Sequence, residues 1–111
     1  PVHVRTITVN VGAVVINTNS TNIPEKFFLY QNYPNPFNPN TKIRFDLARS
    51  GNVNLAIYDI SGKQVAEITN ANYNAGEYSF DFTAENLATG VYFYKLETPD
   101  YTSIKKMILV K

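Results

Sequence analysis

From Ile23 onward, apolar side chains recur at every second position in short runs separated by turn-forming residues. That period belongs to a strand with one dry face and one wet face. Seven such runs are legible, at 26–30, 41–47, 53–58, 64–69, 76–82, 91–97 and 102–110. In the second, Ile43, Phe45 and Leu47 share a face opposite Lys42, Arg44 and Asp46. In the third, Val53, Leu55 and Ile57 align, and in the fifth Tyr78, Phe80 and Phe82 do so. No segment carries the helical period. Short strands at close spacing with turn signals between them predict an all-β antiparallel sandwich of about seven strands. Fully burying one such side chain stabilises by roughly 1.5–3 kcal/mol, so a dozen inward positions offset the ordering entropy of a domain this small.

Upstream, residues 3–11 alternate polar and apolar, and 13–16 form a second apolar run after Gly12. Residues 17–22, Asn-Thr-Asn-Ser-Thr-Asn, offer no side chain that anchors to a core. The expected division is therefore 1–16 as the end of a preceding domain or an added N-terminal strand, 17–24 as a flexible linker, and 25–111 as the sandwich.

Within the sandwich, Tyr33-Pro34-Asn35-Pro36-Phe37-Asn38-Pro39 holds three prolines at close intervals, each fixing its own φ and pushing the preceding residue toward extended geometry. It reads as a stiff, ordered loop, with Tyr33 and Phe37 packing back on the sandwich edge and the Asn side chains capping exposed backbone groups. Asp59 to Lys63 reads as a hairpin turn in which Asp59 accepts from the turn's own N–H groups and Gly62 takes a left-handed conformation. Asn74-Ala75-Gly76 and Ala88-Thr89-Gly90 read as two further turns of the same logic.

Composition narrows the function more than it defines it. Apolar residues make up 44% and charged residues 17% of the 111, Tyr and Phe are abundant, and Trp is absent; the balance supports an ordered, strand-rich fold. A net charge of +1 argues against nucleic acid or an anionic membrane as partner. The lack of cysteine excludes disulfides and thiolate zinc sites but leaves the compartment open. No apolar run is long enough to cross a bilayer, so no membrane insertion is expected; if the parent protein is exported, its leader lies upstream of Pro1. The one histidine, His3, lies at the edge of the chain, a poor position for a catalytic triad. Asp46, Asp59, Asp81, Glu85 and Asp100 fall in turns or on polar strand faces and read as solvated surface. No phosphate-binding glycine loop is present, and no cofactor is expected. Calcium at Asp59 and Ser61, or sugar stacking on Tyr73 or Tyr101, are the weaker readings beside turn capping and packing.

Five separated motifs carry a resemblance: residues 31–43 from Gln31 to Ile43 around the proline loop, 57–65 through Tyr58-Asp59-Ile60-Ser61-Gly62, Gly76-Glu77-Tyr78, residues 89–96 with Gly90-Val91-Tyr92, and the closing Lys105-Lys106-Met107-Ile108-Leu109-Val110-Lys111. In this order they closely resemble the type A C-terminal sorting domain of the type IX (Por) secretion system, over residues 23–111. The resemblance implies an immunoglobulin-like or fibronectin III-like sandwich, similar also to that of flagellar hook-capping proteins, and no enzyme. It implies a Gram-negative parent protein that passes through the periplasm and is carried to the cell surface or secreted, with an upstream cargo, an outer-membrane translocon and a surface transpeptidase-like protease as partners. By position, the recognition elements would be Gly90, Val91 and Tyr92 together with Lys105, Lys106, Met107, Leu109 and Lys111, with cleavage expected within 17–24.

The last strand, with Ile104, Met107 and Leu109 set among Ser103 and the lysines, is expected to present a partly charged edge that resists random pairing yet leaves backbone groups to a receptor. A monomer is expected. The alternative function is a structural or adhesive immunoglobulin-like module, carbohydrate-binding in one version, appended to a secreted enzyme.

Overall fold

Strand alternation decides which side chains meet in the computed structural model, which describes residues 5–8, 14–19 and 23–111, the first two segments by their backbone. Among the described residues there are nine strands and no helix: β1 (Arg5–Thr8), β2 (Val14–Asn19), β3 (Phe28–Leu29), β4 (Asn40–Leu47), β5 (Gly51–Tyr58), β6 (Gln64–Tyr73), β7 (Gly76–Thr83), β8 (Gly90–Thr98) and β9 (Tyr101–Leu109). One antiparallel sheet has the order β1-β2-β7-β4-β3, the other β6-β5-β8-β9. The seven strands from Phe28 onward make an all-β, immunoglobulin-like sandwich.

In β4 every second side chain from Thr41 to Leu47 is buried, and Ile43 and Phe45 pair across the ladder with Phe80 and Tyr78 of β7. Facing them, Val53, Leu55 and Ile57 of β5, Tyr94 and Leu96 of β8, and Met107 and Leu109 of β9 close the core. Its centre is aromatic: Phe45 stacks between Tyr78 and Phe80 at 5.6 and 5.7 Å, and Tyr73 meets Phe80 edge-on at 6.4 Å. Such pairs contribute about 0.5–1.5 kcal/mol beyond area burial.

Several strands run past the limits the alternation sets. β6 continues through Asn70, Ala71, Asn72 and Tyr73, each paired with β5, although Asn favours turns; the tight hairpin holds the ladder in place where propensity does not. β8 and β9 reach Thr98 and Tyr101, leaving a two-residue turn at Pro99-Asp100, closed on one side by the Arg49 ion pair to Asp100 at 2.7 Å. β2 pairs with β7, Asn17 opposite Tyr78 and Asn19 opposite Glu77. Residues 17–19 thus lie in a strand where the side chains indicate a linker, because a sheet edge recruits a neighbour through backbone groups alone. His3, residues 9–13 and residues 20–22 lie outside the described residues, and so does most of the expected strand 3–11.

Two of the three turns expected from Gly and Asn are of another kind. Residues 74–75 and 84–89 carry the chain from one sheet to the other, so β6 and β7, and likewise β7 and β8, do not pair with each other. Gly76 and Gly90 accordingly open strands, opposite Leu47 and Leu109, with φ of 156° and 159° at the fringe of extended backbone. Gly62, at φ 88°, takes the left-handed turn conformation.

Phe80 packs against the rings of Phe45 and Tyr73, so Phe80→Ala is expected to cost about 3–5 kcal/mol, against about 0.5 kcal/mol or less for the exposed Asn52→Ala. Urea denaturation midpoints of the two variants check this.

Candidate functional site

The terminal hairpin, β8 and β9, divides its side chains by parity. In β9, Met107 and Leu109 are buried completely, while Thr102, Ile104 and Lys106 point outward into solvent. In β8 the inward positions are Tyr92, Tyr94 and Leu96; Val91, Phe93 and Lys95 lie on the outer face. The residues expected to form a recognition motif are therefore split. Tyr92 sits opposite Met107 and anchors its hydroxyl by donating to the Ala88 carbonyl at 2.6 Å. Lys105 turns back over the ring of Phe28 at 5.9 Å. Gly90, Val91, Lys106 and Lys111 remain at the surface, where the Lys111 ammonium donates to the Glu85 carbonyl at 2.7 Å.

β9 is an outer strand of its sheet, and the sequence pattern points to an open edge. Over residues 106–110 that edge is covered by the proline loop. The Phe37 N–H donates to the Ile108 carbonyl and the Val110 N–H to the Phe37 carbonyl, both at 2.9 Å. The Ile108 N–H donates to Asn35 Oδ1 at 2.9 Å, and Gln31 Nε2 donates to the Lys106 carbonyl at 2.7 Å. Three X-Pro bonds in this loop, before Pro34, Pro36 and Pro39, are cis. Phe37 is buried and its ring lies 6.5 Å from that of Phe82. Tyr33, expected to pack likewise, is instead 81% exposed: its backbone bridges to Lys42, which turns the side chain away from the core. Among the described residues, the loop's hydrogen bonds to β9 stop at Lys106; ahead of it the strand meets β3, with Lys105 over Phe28, and Phe27 stacks on Tyr101 at 5.6 Å.

On the outer face, cross-strand neighbours Tyr58 and Phe93, and Lys95 and Ile104, line an open hollow of about 430 Å³ together with Ile60 from the hairpin tip. Ile60 is 76% and Ile104 58% exposed. Lys95 lies over the Tyr58 ring at 5.3 Å and 3.5 Å from the Glu97 carboxylate. The tip itself is rigid: Asp59 Oδ1 accepts from the Ser61 hydroxyl at 2.6 Å and from the N–H groups of Ser61 and Lys63 at 2.9 and 3.1 Å. The Ser61 hydroxyl and then the Lys63 N–H hold this carboxyl below its ordinary range. The hollow was the element least visible in sequence; its one signal is two isoleucines, 60 and 104, at positions that the turn and the alternation send outward.

A family model described as a secretion system C-terminal sorting domain matches residues 31–111, from the first residue of the covering loop to the last of the chain described. The chain belongs to that family. It is the sorting signal of the type IX secretion system, a family that serves export through the secretion machinery of bacteria and is not one of catalysts. Comparison with curated proteins and with solved structures gave no match.

What fixes the sorting domain's loop to its hairpin is a buried hydroxyl. Tyr94 donates to the Tyr30 carbonyl and accepts from the Asn32 N–H, both at 2.7 Å. Asn32, itself buried, then donates to the Pro34 carbonyl at 3.1 Å and to Thr41 Oγ1 at 3.0 Å. Burial pushes the Tyr94 hydroxyl up to about 12 from the ordinary 10.0, outweighing the Asn32 N–H, which favours the ionised form. Between these values the unfolded chain loses its proton first, so this stabilisation is complete below pH 10 and is lost as the pH rises toward about 12. Tyr94→Phe orphans a buried carbonyl and a buried N–H, and is expected to cost about 2 kcal/mol or more at neutral pH. It should also flatten the decline in stability between pH 10 and 12; denaturant titrations across that interval check both effects.

Proposed function

We propose that the sorting domain carries an upstream cargo across the outer membrane to the cell surface, and that the translocon reads the outward face of the β8–β9 hairpin. The supporting observation is the hollow formed by Tyr58, Ile60, Phe93 and Ile104 on the same hairpin that bears the Gly90-Val91-Tyr92 and terminal lysine motifs. Exposed apolar groups in one concave patch favour docking. Lys106, the cross-strand neighbour of Phe93, has no carboxylate partner among the described residues. Apolar side chains beside an uncompensated ammonium suit a partner segment that mixes apolar and acidic residues. The backbone at Thr102 and Ile104, which receives no hydrogen bond from the loop among the described residues, adjoins that face and offers such a segment a place to pair.

In this reading Tyr92, Met107 and Leu109 act at one remove, by holding the hairpin's shape, and the domain performs no chemistry of its own. Cleavage by a surface transpeptidase-like protease within 17–24, with transfer of the cargo to lipopolysaccharide, completes the route. At the downstream end of that segment Ile23 is exposed, and the next strand pairing begins only at Phe28.

A reporter with a periplasmic leader, fused ahead of the 111-residue chain in a bacterium with a type IX system, tests the reading. Removing 31–111 should leave the reporter in the periplasm. The pair Ile104→Asp with Lys106→Glu should cut surface delivery about tenfold with unchanged melting, whereas Met107→Ala should lower both. Undiminished delivery of the charge-altered pair would remove the hairpin face from the mechanism; undiminished delivery without 31–111 would remove the sorting role altogether.

A further inference from the structure

One tyrosine of eight stands apart. Each of the other seven has a hydroxyl hydrogen bond, a stacked ring or a cation over its face. Tyr33 is 81% exposed, and among the described residues its side chain has no such partner. Its backbone, by contrast, is held on both sides: its N–H donates to the Lys42 carbonyl at 3.0 Å and its carbonyl accepts from the Lys42 N–H at 2.9 Å. The next carbonyl, of Pro34, accepts from Asn32 Nδ2 at 3.1 Å and Thr41 Oγ1 at 2.9 Å. An aromatic ring is thus presented to solvent from a fixed mount, where little further ordering entropy is lost on binding.

The ring borders an open hollow of about 470 Å³ that it shares with Pro34, Thr41 and the buried Phe82 and with the polar side chains of Asn40, Lys42, Asp81 and Thr83. Lys42 and Asp81 are paired at 2.9 Å, and the Thr83 hydroxyl donates to Asn40 Oδ1 at 2.7 Å. The Asp81 carboxylate, the Lys42 ammonium and the side-chain amide of Asn40 thus border one space. A single flat apolar surface beside several fixed donors and acceptors matches a pyranose, which has an apolar C–H face and a rim of hydroxyls that both donate and accept. A protein partner would instead seek several apolar side chains, as the hollow at Phe93 and Ile104 offers on the other sheet.

We propose that the Tyr33 hollow binds a saccharide, one sugar ring lying on Tyr33 with its hydroxyls on Asp81, Lys42 and Asn40. The ring stands on the proline loop and the polar groups on β4 and β7, while the outward face of the β8–β9 hairpin belongs to the opposite sheet, so the two surfaces are separate.

Titration of the isotope-labelled 111-residue chain with cellohexaose, xylohexaose and maltohexaose, to about 10 mM given the weak affinity one ring supplies, reads the site by amide NMR. At least one of these glycans should shift the signals of Tyr33, Lys42 and Thr83 selectively. Tyr33→Ala should weaken that binding about tenfold and Tyr33→Phe less than about threefold, because the ring surface is kept; both variants should melt as the parent does. Absence of shifts with all three glycans, or equal binding by Tyr33→Ala, overturns the proposal. Loss of secretion in Tyr33→Ala without any glycan response assigns the ring to a protein contact and overturns it equally.

Discussion

An edge strand carries a row of N–H and C=O groups that must find partners in water or in the protein, and in this fold the last strand gives much of its row to a loop about seventy residues earlier. Phe37 brackets the strand with both of its backbone groups while its ring enters the core. Asn35 and Gln31 satisfy the neighbouring groups with their side chains, and Tyr94 pins the loop's base from inside the sandwich. The two ends of residues 31–111 are joined by these contacts. The prolines suit the task for a simple reason: a segment without N–H groups at 34, 36 and 39 has few backbone donors of its own to satisfy, and its stiffness reduces the entropy lost on docking.

The alternating part of the fold was legible because strand period and burial are the same statement: Ile43, Phe45 and Leu47, or Tyr78, Phe80 and Phe82, bury for the reason that makes them recognisable. The loop was not, since it has no period. Tyr33 and Phe37 are both aromatic and both border proline, and only the bridges, to Lys42 for one and to Leu109 for the other, send one ring out and the other in. Nor do short Asn-Ala-Gly or Ala-Thr-Gly segments reveal whether the chain returns to its own sheet or crosses to the facing one. Local turn chemistry is alike in both cases, and the choice is made by which apolar face remains to be covered. The hairpin tip at Asp59 was readable because its hydrogen bonds lie within five residues.

The candidate site shows the same division. Lys105 and Lys106 are one basic doublet in the sequence and point to opposite faces in the strand, one over Phe28 and the other into solvent. The terminal run is thus two overlaid messages with a period of two. Met107 and Leu109 belong to the core, and Ile104 and Lys106 belong to the surface. Phe93 and Tyr58 join the surface set only through cross-strand register, which no local motif encodes.

That overlay bears on how a sorting signal at a strand of this kind is to be understood. If a receptor read an unfolded tail, the inward residues would be as accessible to it as the outward ones, and the covering loop would be an obstacle. Here the inward residues have no exposed surface, and the loop occupies the backbone beside them. Docking against the folded strand therefore has the outward, even-numbered side chains and the partly exposed Ser103 and Lys105 to work with, and neither Met107 nor Leu109. Truncating the tail removes two core side chains and the loop's partners together, so loss of sorting after truncation reports on folding before it reports on recognition. Substitutions confined to the outward positions separate the two, because a strand keeps its faces independent as long as its inward residues are untouched.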